Sequence, residues 1–210
     1  MQAIRAYTQI YDVDDQKILK KIEEVARTCY KSEERTTDGS DAKMVAALIK
    51  SGHESMLEHA SVTVRFVVDR GISHELVRHR LASFAQESTR YCNYSNDKFG
   101  DEITFIIPEY LDYGSPAWNI WKGSMKQAED AYFKLLGHGL SPQEARAVLP
   151  NSLKTEVVMT ANLREWRHFF KLRALGTTGK PHPQMLDVTI PLLEDFKQLI
   201  PVVFDDLVVN

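Results

Sequence analysis

The sequence has few cysteines and no long apolar run. The first absence argues against a disulfide-rich or zinc-binding protein, and the second argues against a membrane-spanning one. Only Cys29 and Cys92 occur among 210 residues, and they form no Cys-x-x-Cys pair. Two isolated cysteines indicate neither a disulfide framework nor a zinc knuckle. No stretch approaches the roughly 20 apolar residues of a transmembrane helix, and residues 1–8 lack the apolar region of a signal peptide. We therefore expect a cytoplasmic protein with no membrane partner.

Positive charge is also scarce, which bears on nucleic-acid binding. The chain carries 26 Lys and Arg against 29 Asp and Glu, a net charge of −3. Proteins that bind nucleic acid polymers depend on many phosphate contacts and a basic face. The balance therefore favours a small phosphorylated ligand over a polymer. Because neither a Gly-x-Gly-x-x-Gly nor a Walker motif occurs, side chains and helix ends are expected to hold any dinucleotide.

The histidine-containing segment 53–59 lacks the spacing of a metal site. His53 and His59 are six residues apart. Two imidazoles share one helix face when they are four residues apart. We therefore expect no metal.

Hydrophobic periodicity predicts one α+β domain over residues 1–210. The segments with strand-like patterns are 3–10, 61–69, 103–107 and 155–161. Helices are predicted from Asp14 or Asp15, from Asp41 to Gly52, from Ser73, over 118–137, after Ser141, after Asn162, and over most of the last forty residues. The helix from Ser73 is expected to carry Arg78 and Arg80.

The segment 78–91 concentrates cationic and hydroxyl side chains in a slightly acidic chain. It contains Arg78, Arg80 and Arg90, one histidine, and serines at positions 83 and 88. Guanidinium groups bind phosphate oxygens bidentately and stay charged at physiological pH. The segment is therefore a candidate phosphate site, and a solvated surface is the alternative.

Arg173 falls inside an apolar arc of its predicted helix. That arc contains Leu163, Trp166, Phe169 and Phe170, whereas Arg164, Arg167, His168 and Lys171 fall on the other side. A guanidinium on an apolar face requires a partner, because an unpaired buried charge costs several kcal/mol. From periodicity, a cation facing a pocket is as compatible with this position as a purely structural role, either a buried salt bridge or a side chain that snorkels near the helix end.

Several blocks together resemble the flavin-dependent thymidylate synthases, the ThyX family. The signature residues are Arg78-His79-Arg80, then Ser88, then Arg90-Tyr91. Further blocks that are similar to the family, in the family order, lie at 52–59, 144–150, 162–164 and 172–173.

The resemblance implies an enzyme that methylates dUMP to dTMP. Methylenetetrahydrofolate would supply the one-carbon unit, and NADPH would supply reducing equivalents through bound FAD. The implied fold is α+β, with helices around a small, largely antiparallel sheet. The implied assembly is a homotetramer whose active sites are shared between subunits.

The resemblance also assigns roles to individual residues. Arg173 would be catalytic, by polarising the pyrimidine and favouring ionisation at N3. The residues implied to bind the flavin are His53, Ser55, Arg78, His79, Arg80, Gln86, Asn162, Leu163, Arg164 and His168. Those implied to bind dUMP are Glu75, Leu76, Val77, Arg78, Gln86, Glu87, Ser88, Thr89, Arg90, Arg146 and Arg173.

The chain departs from the family pattern at several of these positions. Glu75 stands where some members carry Gln, and the common Asn-Glu pair is replaced by Ala85-Gln86, followed by Glu87. His168 replaces an amide. Two other functions remain open: a nucleotide-binding protein without turnover, and an RNA-binding module that uses the arginine cluster.

Overall fold

The computed structural model describes residues 1–11, 13–95 and 100–209. The strands in these residues are β1 Gln2–Ile4, β2 Tyr7–Ile10, β3 Ser61–Asp69, β4 Ala82–Gln86, β5 Thr104–Ile106 and β6 Lys154–Asn162. The α-helices are α1 Asp15–Thr28, α2 Ser40–Lys50, α3 Arg70–Leu76, α4 Pro116–Gly137, α5 Pro142–Ala145, α6 Leu163–Arg173, α7 Pro183–Leu199 and α8 Pro201–Phe204. Short 3-10 helices cover Glu33–Arg35, Glu54–His59 and Arg146–Val148.

Four strands form a small antiparallel sheet in the order β2-β3-β6-β4. A separate pair joins β1 to β5 in parallel, with Ala3 opposite Phe105. The predicted α+β class with a small, largely antiparallel sheet is confirmed. The predicted first strand over 3–10 is divided into β1 and β2, and β4 lies where we predicted no strand.

The chain packs as two compact units. Unit 1 comprises residues 1–7, 66–78 and 84–158, and unit 2 comprises residues 8–65, 79–83 and 159–210. That the 210 residues act as one catalytic domain stays a prediction.

Unit 1 has a core between α4 and the short strands. Ser115 caps α4 by accepting a hydrogen bond from the Trp118 backbone N–H, and Pro116 begins the helix. Met125 and Tyr132 on its buried face belong to one apolar cluster with Phe105. The long amphipathic helix predicted over 118–137 is therefore confirmed.

The turn from β3 into α3 differs from the prediction. The Asp69 side chain, at the end of β3, accepts a hydrogen bond of 2.8 Å from the Ile72 backbone N–H, so the helix begins at Arg70 and not at Ser73. A Cβ at Gly71 would lie 3.0 Å from the Asp69 carboxylate, so glycine leaves room for this cap. Because α3 ends at Leu76, the expectation that it carries Arg78 and Arg80 is wrong.

The start of α2 also differs from the prediction. Asp41 was expected to cap this helix, but α2 begins at Ser40, directly after Gly39, whose φ of 70° is left-handed. Asp41 lies in the first turn, where a carboxylate is favoured by the helix dipole. The predicted stop at Gly52 is confirmed, since α2 ends at Lys50 and Gly52 has a φ of 71°.

Unit 2 is built around α6, which packs aromatic side chains against α7 and α8. The rings of Trp166 and Phe170 lie 5.1 Å from that of Phe196, measured between centroids. Phe196 in turn lies 5.0 Å from Phe204 on α8. Such aromatic pairs each contribute about 0.5–1.5 kcal/mol beyond the area they bury.

Arg167 of α6 is buried, which contradicts its predicted place on the polar side of the helix. Its guanidinium donates hydrogen bonds to both carboxylate oxygens of Asp206, at 2.6 and 2.7 Å, and to Glu54 at 3.2 Å. It also donates to the Val203 carbonyl. The charge tolerates burial because its partners satisfy it, and these contacts join Glu54 and the C-terminal segment to α6.

We predict that Arg167→Ala lowers the free energy of unfolding by roughly 3–5 kcal/mol, because the Glu54 carboxylate, whose side chain is only 21% exposed, and the buried Val203 carbonyl lose their partner. The matched control is Arg164→Ala, one turn away on α6. Arg164 pairs with Glu58 at 2.5 Å, but both side chains are about half exposed, so its loss should cost at most about 1 kcal/mol. Urea unfolding measures both, and equal losses would contradict the prediction.

Candidate functional site

Unit 1 contains a cavity of about 320 Å³ lined by cationic and polar side chains. The polar lining residues are Arg70, His74, Thr89, Arg146 and Asn151. Arg146 Nη1 donates a hydrogen bond of 2.9 Å to the Thr89 hydroxyl. Two guanidinium groups and a hydroxyl at one cavity form a donor set suited to an anion such as phosphate.

Local structure explains how these side chains reach the cavity. Arg146 directly follows α5, the helix predicted after Ser141, and a capping box between Ser141 and Glu144 holds the start of this helix. Arg70 and His74 are four residues apart on α3, so they share one helix face. The Arg70 backbone N–H donates to the Asn151 carbonyl at 2.9 Å, which ties α3 to the loop before β6.

The two motif residues beside Thr89 are closer to the surface. The Ser88 hydroxyl accepts a hydrogen bond from the Arg90 backbone N–H at 3.3 Å. The Arg90 side chain is exposed, and its guanidinium carbon lies 5.5 Å from the centroid of the Tyr91 ring. Ser88 and Arg90 flank a residue that lines the cavity, but neither is itself part of the lining.

The implied dUMP-binding residues at the end of α3 differ in exposure. Leu76 is completely buried in the core, whereas Val77 is exposed and Glu75 is half-buried. Because the Leu76 side chain is in the core, Leu76 can contact a ligand only through its backbone atoms. Roles for Glu75, Leu76 and Val77 in binding stay predictions.

Two positions that depart from the family pattern have partners within unit 1. The Gln86 amide donates to the Ser73 hydroxyl at 2.9 Å and to the Thr155 hydroxyl at 3.4 Å. Glu87 pairs with Lys154 at 3.1 Å, and both side chains are mostly buried. These contacts give both residues a structural role, and the roles implied for them in ligand binding stay predictions.

Unit 2 presents a polar surface where α6 contacts the 3-10 helix Glu54–His59. The exposed polar residues of unit 2 implied to bind the flavin are His53, Ser55, Arg80, Arg164 and His168. The other two implied flavin residues on this stretch are not exposed: the Asn162 side chain caps α6 by accepting from the Glu165 N–H, and Leu163 is completely buried. Exposed cations and hydroxyls fit the diphosphate of an anionic dinucleotide. Arg78, on unit 1, is also exposed.

His79 does not join this exposed surface. It lies inside unit 2 with an exposure of 6%, and Arg173 Nε donates a hydrogen bond of 3.1 Å to its Nε2. On the other side, its Nδ1 lies 3.4 Å from the Glu165 carboxylate. The ring packs edge-on against Phe169, with the centroids 4.9 Å apart. Arg173 is half-buried and ends α6, as its predicted place on the apolar face suggested.

The surroundings of His79 determine its protonation state. We call His79, Arg173 and Glu165 the His79 cluster. Burial, with the Arg173 guanidinium and then His168 as further causes, lowers the pKa of His79 to about 4. Burial also raises the pKa of Glu165, against the opposing effect of His168. His79 is therefore neutral at pH 7, and its contact with Glu165 is a hydrogen bond from a neutral imidazole and not an ion pair.

Sequence reasoning missed four residues: three that line the cavity of unit 1 and one in the His79 cluster of unit 2. Arg70, His74 and Asn151 line the cavity, but they lie outside the motif that drew attention to the region. The i, i+4 spacing of Arg70 and His74 was an available signal. The sequence predicts only that a helix follows Asn162, and nothing in it places Glu165 beside His79.

Metal-binding clusters and membrane-spanning helices are both absent from the described part of the chain. Among residues 1–11, 13–95 and 100–209, no group of three or more His, Cys, Asp or Glu side chains is placed to hold a metal ion. In the same residues, no helix has both the length and the apolar character needed to cross a bilayer.

Relatives of this chain are known. The profile of the family described as "Thymidylate synthase complementing protein" matches residues 13–202. The flavin-dependent thymidylate synthase of Geobacter sulfurreducens is 31% identical over 188 residues, which cover 86% of this chain and 78% of that protein. The enzyme of the same name from Corynebacterium efficiens is 30% identical, covering 95% of this chain and 84% of that protein. For Pyrococcus furiosus the identity is 37%, over 67% of this chain and 57% of the relative's length.

A solved structure shares the fold. The UMP/dUMP methylase PolB from Streptomyces cacaoi, bound with 5-Br dUMP, superposes with a TM-score of 0.79 at 23% identity. The match covers 98% of this chain and 96% of that chain.

The shifted pKa of His79 predicts an acid-sensitive step in stability. As the pH falls below 6.5, the unfolded chain protonates His79, whereas the folded chain does not until about pH 4. Stability is therefore lost as the pH falls across this window. Compared with His79→Gln, the wild type should lose about 1–3 kcal/mol more between pH 7 and pH 4, measured by urea unfolding. Parallel pH profiles would contradict the buried, neutral state of His79.

Proposed function

Because this chain belongs to the thymidylate synthase complementing protein family, we propose that it is a flavin-dependent thymidylate synthase. The reaction is the reductive methylation of dUMP to dTMP. Methylenetetrahydrofolate supplies the carbon, and NADPH supplies the reducing equivalents through bound FAD. The chain covers only 57% of the length of the Pyrococcus furiosus relative, so the activity, substrates and assembly are all part of the proposal.

One observation carries the proposal: the hydrogen bond between Arg146 and Thr89. These residues are 57 positions apart and belong to two separate blocks that are similar to the family, yet both line one cavity. A structural surface pair would explain the hydrogen bond but not the second guanidinium, Arg70, or the imidazole of His74 at the same cavity.

The cavity suits the phosphate of a nucleoside monophosphate. Arg146 and Arg70 supply fixed positive charge, and Thr89 supplies a hydroxyl on the turn that also carries Ser88 and Arg90. Hydrogen bonds from charged donors to phosphate are roughly twice as strong as neutral ones. We assign the dUMP phosphate to this cavity.

Arg173 is assigned the chemistry at the pyrimidine. Its guanidinium is half-buried and held by His79, so its charge acts in a partly dry environment. A fixed cation stabilises negative charge that develops on a bound ring, and it does so more strongly when water is excluded. Arg173 therefore favours ionisation at N3 of dUMP. In the proposed homotetramer, each active site combines residues from different subunits. We therefore assign a role to the cavity and a role to Arg173 without requiring that both belong to the same active site within one chain.

The exposed residues of unit 2 suit the flavin. His53, Ser55, Arg80, Arg164 and His168 offer the cations and donors that an FAD diphosphate and ribityl chain require. When bound, FAD supplies the hydride chemistry of the reaction. The residues of the chain bind and orient the reactants and exclude water.

The test is a reaction with purified protein, FAD, NADPH, methylenetetrahydrofolate and dUMP without oxygen, with dTMP detected by mass spectrometry. Each component is omitted in turn. Formation of dTMP that requires all four supports the proposal. If the bound flavin's spectrum responds to dUMP but no dTMP forms, the result favours the alternative of a nucleotide-binding protein without turnover. Retention on RNA at physiological salt would favour the RNA-binding alternative.

For the cavity, we predict that Arg146→Ala weakens dUMP binding by roughly 10- to 100-fold, since a hydrogen bond to a charged group contributes about 1.5–3 kcal/mol. Arg5→Ala is the matched control in unit 1, because Arg5 pairs with Glu109 and does not line the cavity. Titration calorimetry measures both affinities. An unchanged dUMP affinity for the Arg146 variant would place the phosphate elsewhere.

For Arg173, we predict that Arg173→Ala abolishes dTMP formation while the protein keeps its fold and its flavin absorbance. The reason is that this cation acts on the charge that develops in the reaction, not on the flavin. Turnover, the flavin spectrum and circular dichroism are measured together. Near-normal turnover would remove Arg173 from the chemistry.

A further inference from the structure

His79 lies between two side chains of α6 and is not accessible to a ligand in the way that its exposed neighbours are. Arg78 and Arg80, on either side of it in the chain, are both exposed, whereas His79 is only 6% exposed. Its two ring nitrogens face Arg173 and Glu165, and its ring packs on Phe169. Both nitrogens therefore already have partners inside unit 2.

The direction of these hydrogen bonds fixes the tautomer. A guanidinium N–H only donates, so the contact of 3.1 Å from Arg173 Nε requires a bare Nε2 on His79. The proton of the neutral imidazole then lies on Nδ1, where it is donated to the Glu165 carboxylate. Glu165 thus selects the form of His79 that can accept from Arg173.

Hydrogen bonds fix both the guanidinium and the backbone carbonyl of Arg173. The Thr189 hydroxyl donates a hydrogen bond of 2.7 Å to the Arg173 carbonyl, which fixes the backbone at the end of α6. Because the guanidinium is planar, fixing its Nε–H fixes the plane of the whole group. The orientation of the charge is then set before any ligand binds.

We propose that His79 is a positioning residue for Arg173, with Glu165 holding its tautomer, and that it does not contact the flavin through its side chain. The resemblance to the family grouped His79 with the flavin-binding residues. The catalytic part of this inference rests on the proposed function of Arg173, whereas the contact between His79 and Arg173 does not.

Two conservative variants separate the two ends of His79. A Gln amide oxygen reaches the position of Nε2, so His79→Gln keeps the acceptor for Arg173 and loses the donor to Glu165. An Asn amide reaches the position of Nδ1, so His79→Asn keeps the donor to Glu165 and loses the acceptor for Arg173. His138→Asn is the control, because His138 is exposed at the end of α4 and belongs to neither cluster.

The two variants are compared by kcat and KM for dUMP, flavin absorbance and thermal unfolding. We expect His79→Asn to lower kcat by about 10²-fold, with a smaller change in KM, since small misplacement of a catalytic group costs about this much. His79→Gln should restore most of that loss, and His138→Asn should match the wild type. Both His79 variants should keep the flavin absorbance.

Three outcomes overturn the proposal. Equal loss of kcat in the Gln and Asn variants would mean that the acceptor for Arg173 does not matter. Loss of flavin absorbance in both variants at unchanged thermal stability would mean that His79 binds the flavin. Nitrogen NMR of the wild type that shows a protonated Nε2 would exclude the hydrogen bond from Arg173.

A readout without turnover separates this proposal from the proposed function. The Arg173 Nε–H should exchange slowly with solvent in the wild type and in His79→Gln, and quickly in His79→Asn. If the wild type forms no dTMP, the proposed function fails, and the exchange rates alone support or overturn the positioning of Arg173.

Discussion

Every charge that α6 brings toward the interior of unit 2 needs a partner, and that constraint organises the unit. An unpaired buried charge costs several kcal/mol, more than a domain of this size can lose at many sites. Arg167 meets the constraint through Asp206, Glu54 and the Val203 carbonyl, and Glu165 meets it through His79. These partners come from three distant parts of the chain. The aromatic packing of Trp166 and Phe170 on Phe196 supplies the apolar surface, but the ion pairs determine which segments lie against α6.

The same need for a partner determines the environment of Arg173 at the end of α6. The Arg173 guanidinium donates to a neutral imidazole, and this contact places no negative charge beside the cation. Burial lowers the pKa of His79 to about 4, which keeps that imidazole neutral. A stable structural ion pair, such as that of Arg167 and Asp206, would hold a charge equally well but would neutralise it.

Unit 1 shows how substitutions in a motif are accommodated. The family's common Asn-Glu pair is replaced here by Ala85 and Gln86, and the carboxylate stands one position later, at Glu87. Glu87 directly follows β4 and pairs with Lys154, and Gln86 donates to the Ser73 and Thr155 hydroxyls. The cavity at Arg146 and Thr89 involves neither residue in its lining.

The sequence by itself determined the local elements and the family. Periodicity and caps act within a few residues, so β3, α4, α5 and β6 were predictable, and the spacing of Arg78, Ser88 and Arg90 identified the family blocks. It misplaced the start of α3 because a strand-terminal carboxylate, Asp69, competes with Ser73 for the same cap. Only the tertiary structure decided that Arg167 is buried, that His79 lies between Arg173 and Glu165, and that Arg70 and His74 face the same cavity as Arg146. Each of these facts depends on partners 36 to 113 positions apart in the chain or on a cavity between separate elements, and local periodicity and capping patterns carry no information about such pairs.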